Sequence, residues 1–291
     1  MKVGVGLPAV IPGTPGDVIL QWARRADEGP FSSLGIIDRV VYPNYEAMVT
    51  LAAAAGATQR IGLMTTVLLA PLRDTAILAK EAASLDALSG GRLTLGLGIG
   101  GRADDFAACD VDMHTRGKRF DDQLEMMHHI WRGEPLSKSV GPIGPHPVQP
   151  GGPRILIGGY APAAIGRVAR WGEGFIAGGG TPEMAQAGFA AAQKAWSGAG
   201  RTGKPSFVGG MYFALGDAAA ERGRAYLRDY YSFGGPMADA IAQSMPASEQ
   251  AVHDAIQAFG AVGMDELILW PTVADVDQLD QLTQLVTNIK P

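Results

Sequence analysis

The sequence predicts an α/β protein of the (β/α)8 TIM-barrel class, folded as a single domain with insertions. Short β-rich runs alternate with helical patterns along the whole chain, and this alternation is typical of βαβ units around a parallel sheet. Eight such strands in 291 residues fit one barrel. A doubly wound sheet is the alternative, because a strand count from one sequence is imprecise.

The predicted strands are short runs rich in β-branched, aromatic and other apolar residues: Val3–Leu7, Leu34–Ile37, Ile61–Val67, Leu93–Gly98, Ile155–Ile157, Phe175–Ala177, Phe207–Phe213 and Glu266–Trp270. Helical patterns lie near 17–27, 44–57, 75–89, 118–132, 162–171, 183–197, 217–231, 248–262 and 275–288. A Pro/Gly-rich segment at about 133–153 is interpreted as an excursion between the fourth and fifth strands of a domain that spans residues 1–291, because the alternation resumes directly after it.

Composition narrows the class of protein. The chain has 24 Lys+Arg against 29 Asp+Glu and no cluster of basic residues, so nucleic acid is not an expected partner. The single Cys109 excludes an internal disulfide and suits a reducing cytoplasm. The opening "MKVGVGLPAVIPG" lacks the apolar segment of a signal peptide, and no run reaches the length of a membrane span. We expect a cytoplasmic protein that acts on a small molecule.

The stretch "LTLGLGIGGR", residues 93–102, has Gly96, Gly98 and Gly101 at the spacing of a dinucleotide-binding fingerprint. That fingerprint needs a helix that opens at the last glycine. The following "RADDFAACDVDMHTRG" is polar and irregular, and it predicts no helix at Gly101. The dinucleotide interpretation is therefore rejected.

A barrel strand explains these glycines better. Because side chains alternate along a strand, the leucines of this stretch face the outer helices, and Gly96, Gly98 and Gly100 face the interior. The glycines would empty the barrel mouth, so that a flat ligand can approach the backbone. Glycine for tight packing alone is the alternative, and the residues by themselves give it equal weight.

Active sites of such barrels lie at the carboxyl ends of the strands, and polar residues at those ends are few. Asp38 ends the second strand in "LGIIDRV"; it is either functional or paired with a nearby arginine, and pairing is the safer hypothesis. Thr66 and Val67 end the third strand, and Arg73 follows them. Arg73 would either bind an anion or form an ion pair with the following helix.

Two neighbouring loops predict a phosphate site. In "LIGGYAPAAIGRV" a strand runs through glycines into a helix with Pro162 near its first position, and in "FIAGGGTPEMAQ" Thr181 and Pro182 occupy the N-cap and first positions. Two such helix N-termini side by side form a phosphate cradle through free amides and aligned dipoles. Ordinary capped loops are the alternative. The loops follow strands five and six, whereas the usual barrel site follows strands seven and eight.

Other chemistry has little support. The five histidines show no metal-binding spacing, no G-x-S-x-G segment is present, and Cys109 has no recognisable partner. The aromatic residues of "YLRDYYSFGGPM" either line a substrate lid or belong to the core; they are Tyr226, Tyr230, Tyr231 and Phe233.

The segments "QRIGLMTTVLLAPLRDTAILAKEAASLDALSGGRLTLGLGIG", "PRILIGGYAPAAIGRVARWGEGFIAGG" and "IQAFGAVGMDELIL" resemble the bacterial-luciferase-like flavin oxidoreductases. The resemblance covers essentially residues 1–289, and "LSGGR" followed by the glycine strand is its most specific part. It implies a (β/α)8 barrel that binds reduced FMN or the deazaflavin coenzyme F-420 at its mouth. The flavin would serve oxygen insertion or hydride transfer.

The resemblance also implies roles for individual residues. Asp38 matches an acidic residue near the pyrimidine edge of the flavin. Thr66 and Val67 match a non-proline cis peptide that bulges against the flavin ring. Gly98 and Gly100, which strand alternation places at the mouth, are further candidates for cofactor binding. The phosphate-binding backbone corresponds to Gly159, Tyr160, Ala161, Gly178 and Gly179.

The chain also departs from the pattern of the family. Arg39 stands where many members have histidine after the second-strand acid, and Gly101 stands where the deazaflavin sugar-phosphate dehydrogenases have glutamate. Arginine cannot act as a base at neutral pH, although its charge could stabilise an anion. Asp38 and Arg39 are thus the only catalytic candidates, and the proton-transfer residue remains unassigned.

The first functional hypothesis is a monooxygenase that uses reduced FMN and oxygen on a small, apolar substrate. Reduced flavin would be delivered by a separate reductase or exchanged as a substrate. A reductase or dehydrogenase dependent on coenzyme F-420 is the second, and a non-catalytic flavin-binding protein is the third. A homodimer is expected from the resemblance and from the small residues of "LAAAAGA" at 51–57.

Overall fold

The computed structural model describes residues 1–289, and it confirms the barrel. All strand pairings are parallel, and they close a ring in the order β3-β2-β1-β9-β8-β7-β6-β5, with the two-residue β4 beside β5 and a direct β3–β5 pairing. The strands are β1 Lys2–Gly6, β2 Ser33–Ile36, β3 Gly62–Thr65, β4 Leu68–Leu69, β5 Leu93–Gly98, β6 Arg154–Gly158, β7 Gly174–Ala177, β8 Ser206–Phe213 and β9 Glu266–Pro271.

Helices follow the strands and form the outer layer. They are α1 Gly16–Glu28, α2 Ala47–Ala57, α3 Thr75–Ser89, α4 Ala103–Ala108, α5 Arg116–Trp131, α6 Pro162–Arg170, α7 Pro182–Gly198, α8 Asp217–Tyr230, α9 Pro236–Ser244, α10 Glu249–Ala261 and α11 Val276–Asn288. None of the helices in the described part of the chain has the length and apolar character that crossing a membrane requires.

Each of the eight predicted strands and nine predicted helices is present, with ends that shift by a few residues. The helix ends with strong capping signals were predicted most accurately. Helix α3 starts after Asp74, whose side chain accepts from the Ile77 amide, and it ends at Gly90 in the left-handed conformation. The third predicted strand was too long, because it breaks after Thr65 and resumes as β4.

Two helices were missed. The expectation that no helix opens near Gly101 was wrong: α4 begins at Ala103, only two residues later. The six-residue α4 is too short for an apolar period to show, and its first turn holds Asp104 and Asp105. Two carboxylates there repel a pyrophosphate, so the dinucleotide interpretation still fails, for a different reason. Helix α9 starts at Pro236, within a region for which the sequence pattern predicts no helix.

Two apolar clusters occupy the two sides of the sheet. The larger lies between strands and outer helices and includes Leu93, Leu95 and Leu97, as alternation predicted. The smaller fills the barrel interior and includes Met64, Leu156, Ile176, Val208, Ile268 and Trp270. The inward face of the strands therefore carries large side chains low in the barrel.

The "LSGGR" segment has a structural role. The Arg92 guanidinium donates to the Ile61 carbonyl and to the Thr58 hydroxyl, and also to the Ala55 carbonyl. These bonds tie the end of α2 and the start of β3 to the β5 strand. The motif fixes the register of the strands that lead to the mouth.

Residues 132–153, which include the predicted excursion, form no helix or strand and connect α5 to β6, the fifth strand of the barrel. The fully buried Asp86 anchors its end by accepting from the amides of Val148 and Gln149 and from the Gln149 side chain. The excursion thus runs against the outside of the barrel.

Candidate functional site

Glycines and Val67 form one half of the barrel mouth. The Thr66–Val67 peptide is cis, where the resemblance placed a cis bond. A Cβ atom at Gly98 would lie 2.7 Å from Val67 Cγ2, and one at Gly158 would lie 2.8 Å from Val67 Cγ1. The two glycines therefore make room for the valine, whose side chain packs against the interior cluster. Sequence reasoning assigned the space at Gly98 to a ligand, whereas Val67 already fills part of it.

Gly96 and Gly100 do not share the role predicted for them. A Cβ at Gly96 would collide with the Thr65 carbonyl and Ile176, low in the barrel, so this glycine allows close packing of strands. Gly100 lies beyond the end of β5 with φ +74°, and a Cβ there would meet Phe106. Gly100 thus serves a left-handed turn toward α4.

The loop after β6 presents an open helix N-terminus. Gly159 has φ +121°, and Ala161 is the N-cap of α6 without a side-chain cap. Pro162 at the first position has no amide hydrogen, which leaves the amides of Ala163 and Ala164 as donors without a side-chain partner. Positive partial charge therefore accumulates at this end.

The loop after β7 differs from it. Thr181 caps α7 and accepts from the Met184 amide, as predicted. Gly178 and Gly179 face open space, where added Cβ atoms would meet nothing within 4 Å. Tyr160, 40% exposed, donates its hydroxyl to the Gly178 carbonyl at 3.0 Å and so joins the two loops. Of the two predicted halves of the cradle, only the α6 end lacks a side-chain cap.

Asp38 lies at the mouth, but its charge is already paired. Both carboxylate oxygens accept from Arg73 Nη2 at 3.1 Å, and Oδ2 also accepts from the Leu69 amide. Arg73 Nη1 contacts Glu46 at 2.8 Å. Burial raises the pKa of Asp38, although Arg73 and the Leu69 amide oppose that rise. Arg73 thus pairs with Asp38 and Glu46. The predicted pairing of Asp38 with a nearby arginine is confirmed.

The Arg39 side chain is also engaged in ion pairs. Its side chain, only 7% exposed, contacts Asp104 at 2.9 Å and the buried Asp105 at 3.4 Å. The guanidinium lies over the rings of Tyr42 and Tyr230. Asp105 also accepts from the amides that follow Arg39, which fixes α4 against the β2 loop. The structure gives Arg39 partners of its own and leaves it little charge to offer a ligand.

Helices α8 and α9 cover the other half of the mouth. Tyr226 and Tyr230 are buried in the interior cluster, and Phe233 is 56% exposed. Arg102 reaches across from the β5 loop, donates to the Tyr230 carbonyl at 3.0 Å and stacks 3.9 Å from the centre of the Phe233 ring. Tyr226 and Tyr230 therefore belong to the core, as one alternative predicted, and Phe233 lies at the surface.

Sequence reasoning missed the group at the centre of this half. Tyr212, near the end of β8, points into the barrel with its ring 5.3 Å from that of Trp270. Its hydroxyl lies 2.9 Å from the hydroxyl of Tyr231, which belongs to the cover. Alternation in β8 puts Val208, Gly210 and Tyr212 on one face, and this pattern could have identified it.

A surface cavity of about 490 Å3 adjoins the aromatic half. Tyr42 and Tyr226 contribute to its wall together with Asp229, which accepts from the Tyr42 hydroxyl at 2.7 Å. Within residues 1–289, no group of His, Cys, Asp and Glu side chains could hold a metal ion. The polar groups described at this mouth are backbone amides, paired charges and phenolic hydroxyls.

Comparison with known proteins agrees with this architecture. The family model for luciferase-like monooxygenases matches residues 1–287. The chain belongs to that family. An uncharacterized protein of Mycobacterium tuberculosis (strain ATCC 25618 / H37Rv) is 34% identical over 194 residues, a match that covers 55% of this chain and 65% of that protein.

Solved structures share the whole fold. A secondary alcohol dehydrogenase dependent on coenzyme F-420, in complex with an F-420–acetone adduct, has a TM-score of 0.83 at 15% identity and covers 100% of this chain and 99% of its own. The oxygenating constituent of 3,6-diketocamphane monooxygenase from Pseudomonas putida, in complex with FMN, has a TM-score of 0.74 at 17% identity and covers 99% and 97%. These structures share the fold of this chain along nearly its whole length.

Proposed function

We propose that this protein is a flavin-dependent monooxygenase that uses reduced FMN and oxygen on a small, apolar organic substrate. The observation that carries the proposal is the uncapped N-terminus of α6 beside the glycine half of the mouth. A helix end with free amides is a general site for a phosphate group. Next to it lie Val67 and the exposed Gly178 and Gly179, which leave room for a flat ring.

The residues present fit FMN. The amides of Ala163 and Ala164, with the turn at Gly159, would hold the phosphate, and Gly178 and Gly179 leave room beside it. Val67 would support the ring from below, as the family resemblance implies. Bound reduced flavin supplies the electrons and the reactivity toward oxygen. The chain itself binds, orients and excludes water.

Gly101 weighs against one group of F-420 enzymes, because it replaces the glutamate of the deazaflavin sugar-phosphate dehydrogenases. A reductase or dehydrogenase dependent on coenzyme F-420 is the second candidate, because such an enzyme superposes with a TM-score of 0.83. A flavin-binding protein without turnover is the third.

The proposal includes two partners. A separate reductase would deliver reduced FMN. A second copy of the chain would pack on α2, whose exposed face consists of Val49, Ala52, Ala53 and Gly56 and permits close approach of helices. Light scattering at micromolar concentration should show a homodimer, and a monomer would refute this part.

Titration with oxidised FMN and with coenzyme F-420, followed by flavin fluorescence, tests the cofactor. We expect FMN to bind the more tightly, and the reoxidation of reduced FMN by oxygen to follow a different time course when the protein is present. The matched control is Gly159→Val. In the presence of this variant, the time course of reoxidation should equal that of free reduced FMN. Binding of F-420 alone would select the second candidate, and FMN binding without a kinetic effect would select the third. Binding of neither cofactor would refute the proposal.

A further inference from the structure

The Tyr212–Tyr231 pair is a neutral polar group between the barrel floor and its cover. Tyr212 comes from β8 and is 9% exposed, and Tyr231 lies directly after α8. Their oxygens are 2.9 Å apart, so one hydroxyl hydrogen lies in the bond between them. The other hydrogen remains free to donate. The pair can thus bind an oxygen atom of a ligand.

Both hydroxyls keep their protons across the neutral range. Burial raises the pKa of Tyr212 well above its usual value and raises the pKa of Tyr231 as well, although the hydrogen bond from Tyr212 opposes the second rise. The pair is therefore a donor to a neutral acceptor, such as a carbonyl or hydroxyl oxygen, and it is not a base.

Charges near the pair are balanced. Arg39 contacts Asp104 and Asp105, and Arg102 lies near Asp105 and donates to the Tyr230 carbonyl, so the four side chains sum to zero. Asp38 is paired with Arg73. Burying a ligand carboxylate without a partner is strongly unfavourable, so this half of the mouth favours an uncharged molecule.

Aromatic rings surround the pair. Tyr212 packs on Trp270, and Tyr231 packs edge-on against Tyr230 and beside Phe233. Such surfaces favour flat apolar groups, because ring faces and edges attract one another beyond simple burial. Shape and charge therefore point to the same class of ligand.

We propose that Tyr212 and Tyr231 form the polar end of a binding site for a neutral, planar aromatic molecule that carries a hydroxyl or carbonyl oxygen. This inference rests on the proposed function, in which that molecule is the substrate beside the flavin. The pair determines specificity by donating one hydrogen bond to the oxygen of the ligand.

Three probes with one ring system test the site: 2-naphthol, naphthalene and 2-naphthoate. Equilibrium dialysis measures their binding at neutral pH, first to the protein without cofactor and then with FMN. We expect 2-naphthol to bind about tenfold more tightly than naphthalene, which lacks the oxygen. The carboxylate of 2-naphthoate should weaken binding at least as strongly.

The variants Tyr212→Phe and Tyr231→Phe should each weaken 2-naphthol binding by about fivefold and leave naphthalene binding unchanged, because one hydrogen bond is lost and the ring remains. Tyr45→Phe is the matched control; its hydroxyl donates to the Thr14 carbonyl, away from the pair. Thermal melting verifies that all three variants fold.

Several outcomes would overturn the inference. Equal weakening of 2-naphthol and naphthalene in the tyrosine variants would mean a packing role. Tightest binding of 2-naphthoate, lost in Arg102→Met, would assign the site to anions. Loss of 2-naphthol binding only in Asp229→Asn would place the ligand in the neighbouring cavity. Failure of FMN to bind would refute the proposed function, whereas the cofactor-free comparison tests the pair on its own.

Discussion

The two halves of the barrel mouth are built from the same repeating unit, yet they present different surfaces. On the side of β5, β6 and β7, Gly98 and Gly158 end two strands and lie against Val67, and the exposed Gly178 follows the third. On the side of β8 and β9, Tyr212 and Trp270 stand one residue before the strand ends, under a cover of two helices. One half offers amides, and the other offers rings and hydroxyls.

The difference shows that charge at the mouth is not the same as charge available for a ligand. Asp38 and Arg39 stand next to each other in sequence, but Asp38 pairs with Arg73 and Arg39 pairs with Asp104 and Asp105. Burial of these groups is tolerated because each has its partner. The unsatisfied donors of the glycine half lie instead on the backbone of α6.

The largest effect on flavin affinity is expected where α6 meets the glycines. Gly159→Val places a β-branched side chain at φ +121° beside the free amides, 3.2 Å from the Ala164 methyl group. FMN affinity should fall by about 100-fold and riboflavin affinity by less than about threefold, because bonds to the charged phosphate are lost. Fluorescence titration measures both ligands.

The matched control is Gly180→Val, at nearly the same φ of +119° but beside the capped α7. Backbone strain is similar in the two variants, so it should affect both alike. Selective loss of FMN in Gly159→Val alone would sharpen the contrast between the two helix ends. Equal losses in the two variants would remove that contrast.

A smaller effect is expected at the floor of the glycine half. Gly98→Val pushes on Val67 Cγ2, which lies 2.7 Å from the new Cβ position, and should cost about 1–2 kcal/mol of unfolding free energy. FMN and riboflavin should weaken alike, by about tenfold, since the change lies under the ring. Adding Val67→Ala should restore stability in urea denaturation. Unchanged flavin binding would show that the ring lies elsewhere.

A substitution in the aromatic half should lower the stability of the protein and hardly change its affinity for flavin. Arg39→Met leaves Asp105, which is 1% exposed, without its cation, and should lower the unfolding free energy by about 3 kcal/mol. Flavin affinity should change by less than about twofold, because hydrogen bonds to the flavin phosphate come from the other half. Arg222→Met breaks the exposed pair with Asp275 and serves as a control near zero. A large loss of flavin affinity in Arg39→Met would show that Arg39 contributes to cofactor binding.

Local signals in the sequence predicted the elements well. The N-cap at Thr181 with Pro182, the left-handed stop at Gly90 and the alternation of Leu93, Leu95 and Leu97 all act within one or two turns of chain. Such signals depend on backbone conformation and side-chain period, which neighbouring residues set. Helix α4 was not predicted, because six residues are too few to show a helical period of apolar side chains. Its Asp105 is instead held by Arg39, which is distant in sequence.

The sequence by itself determined the barrel, its strand order in the chain and the glycine loops after β6 and β7. Only the tertiary structure decided which charges are free, because Asp38 and Arg73 are 35 residues apart and Arg39 and Asp105 are 66 apart. It also decided that Val67 fills the space above Gly98 and that Tyr212 meets Tyr231. Pairing and packing across strands depend on where the closed barrel brings distant segments together, and no local pattern encodes those distances.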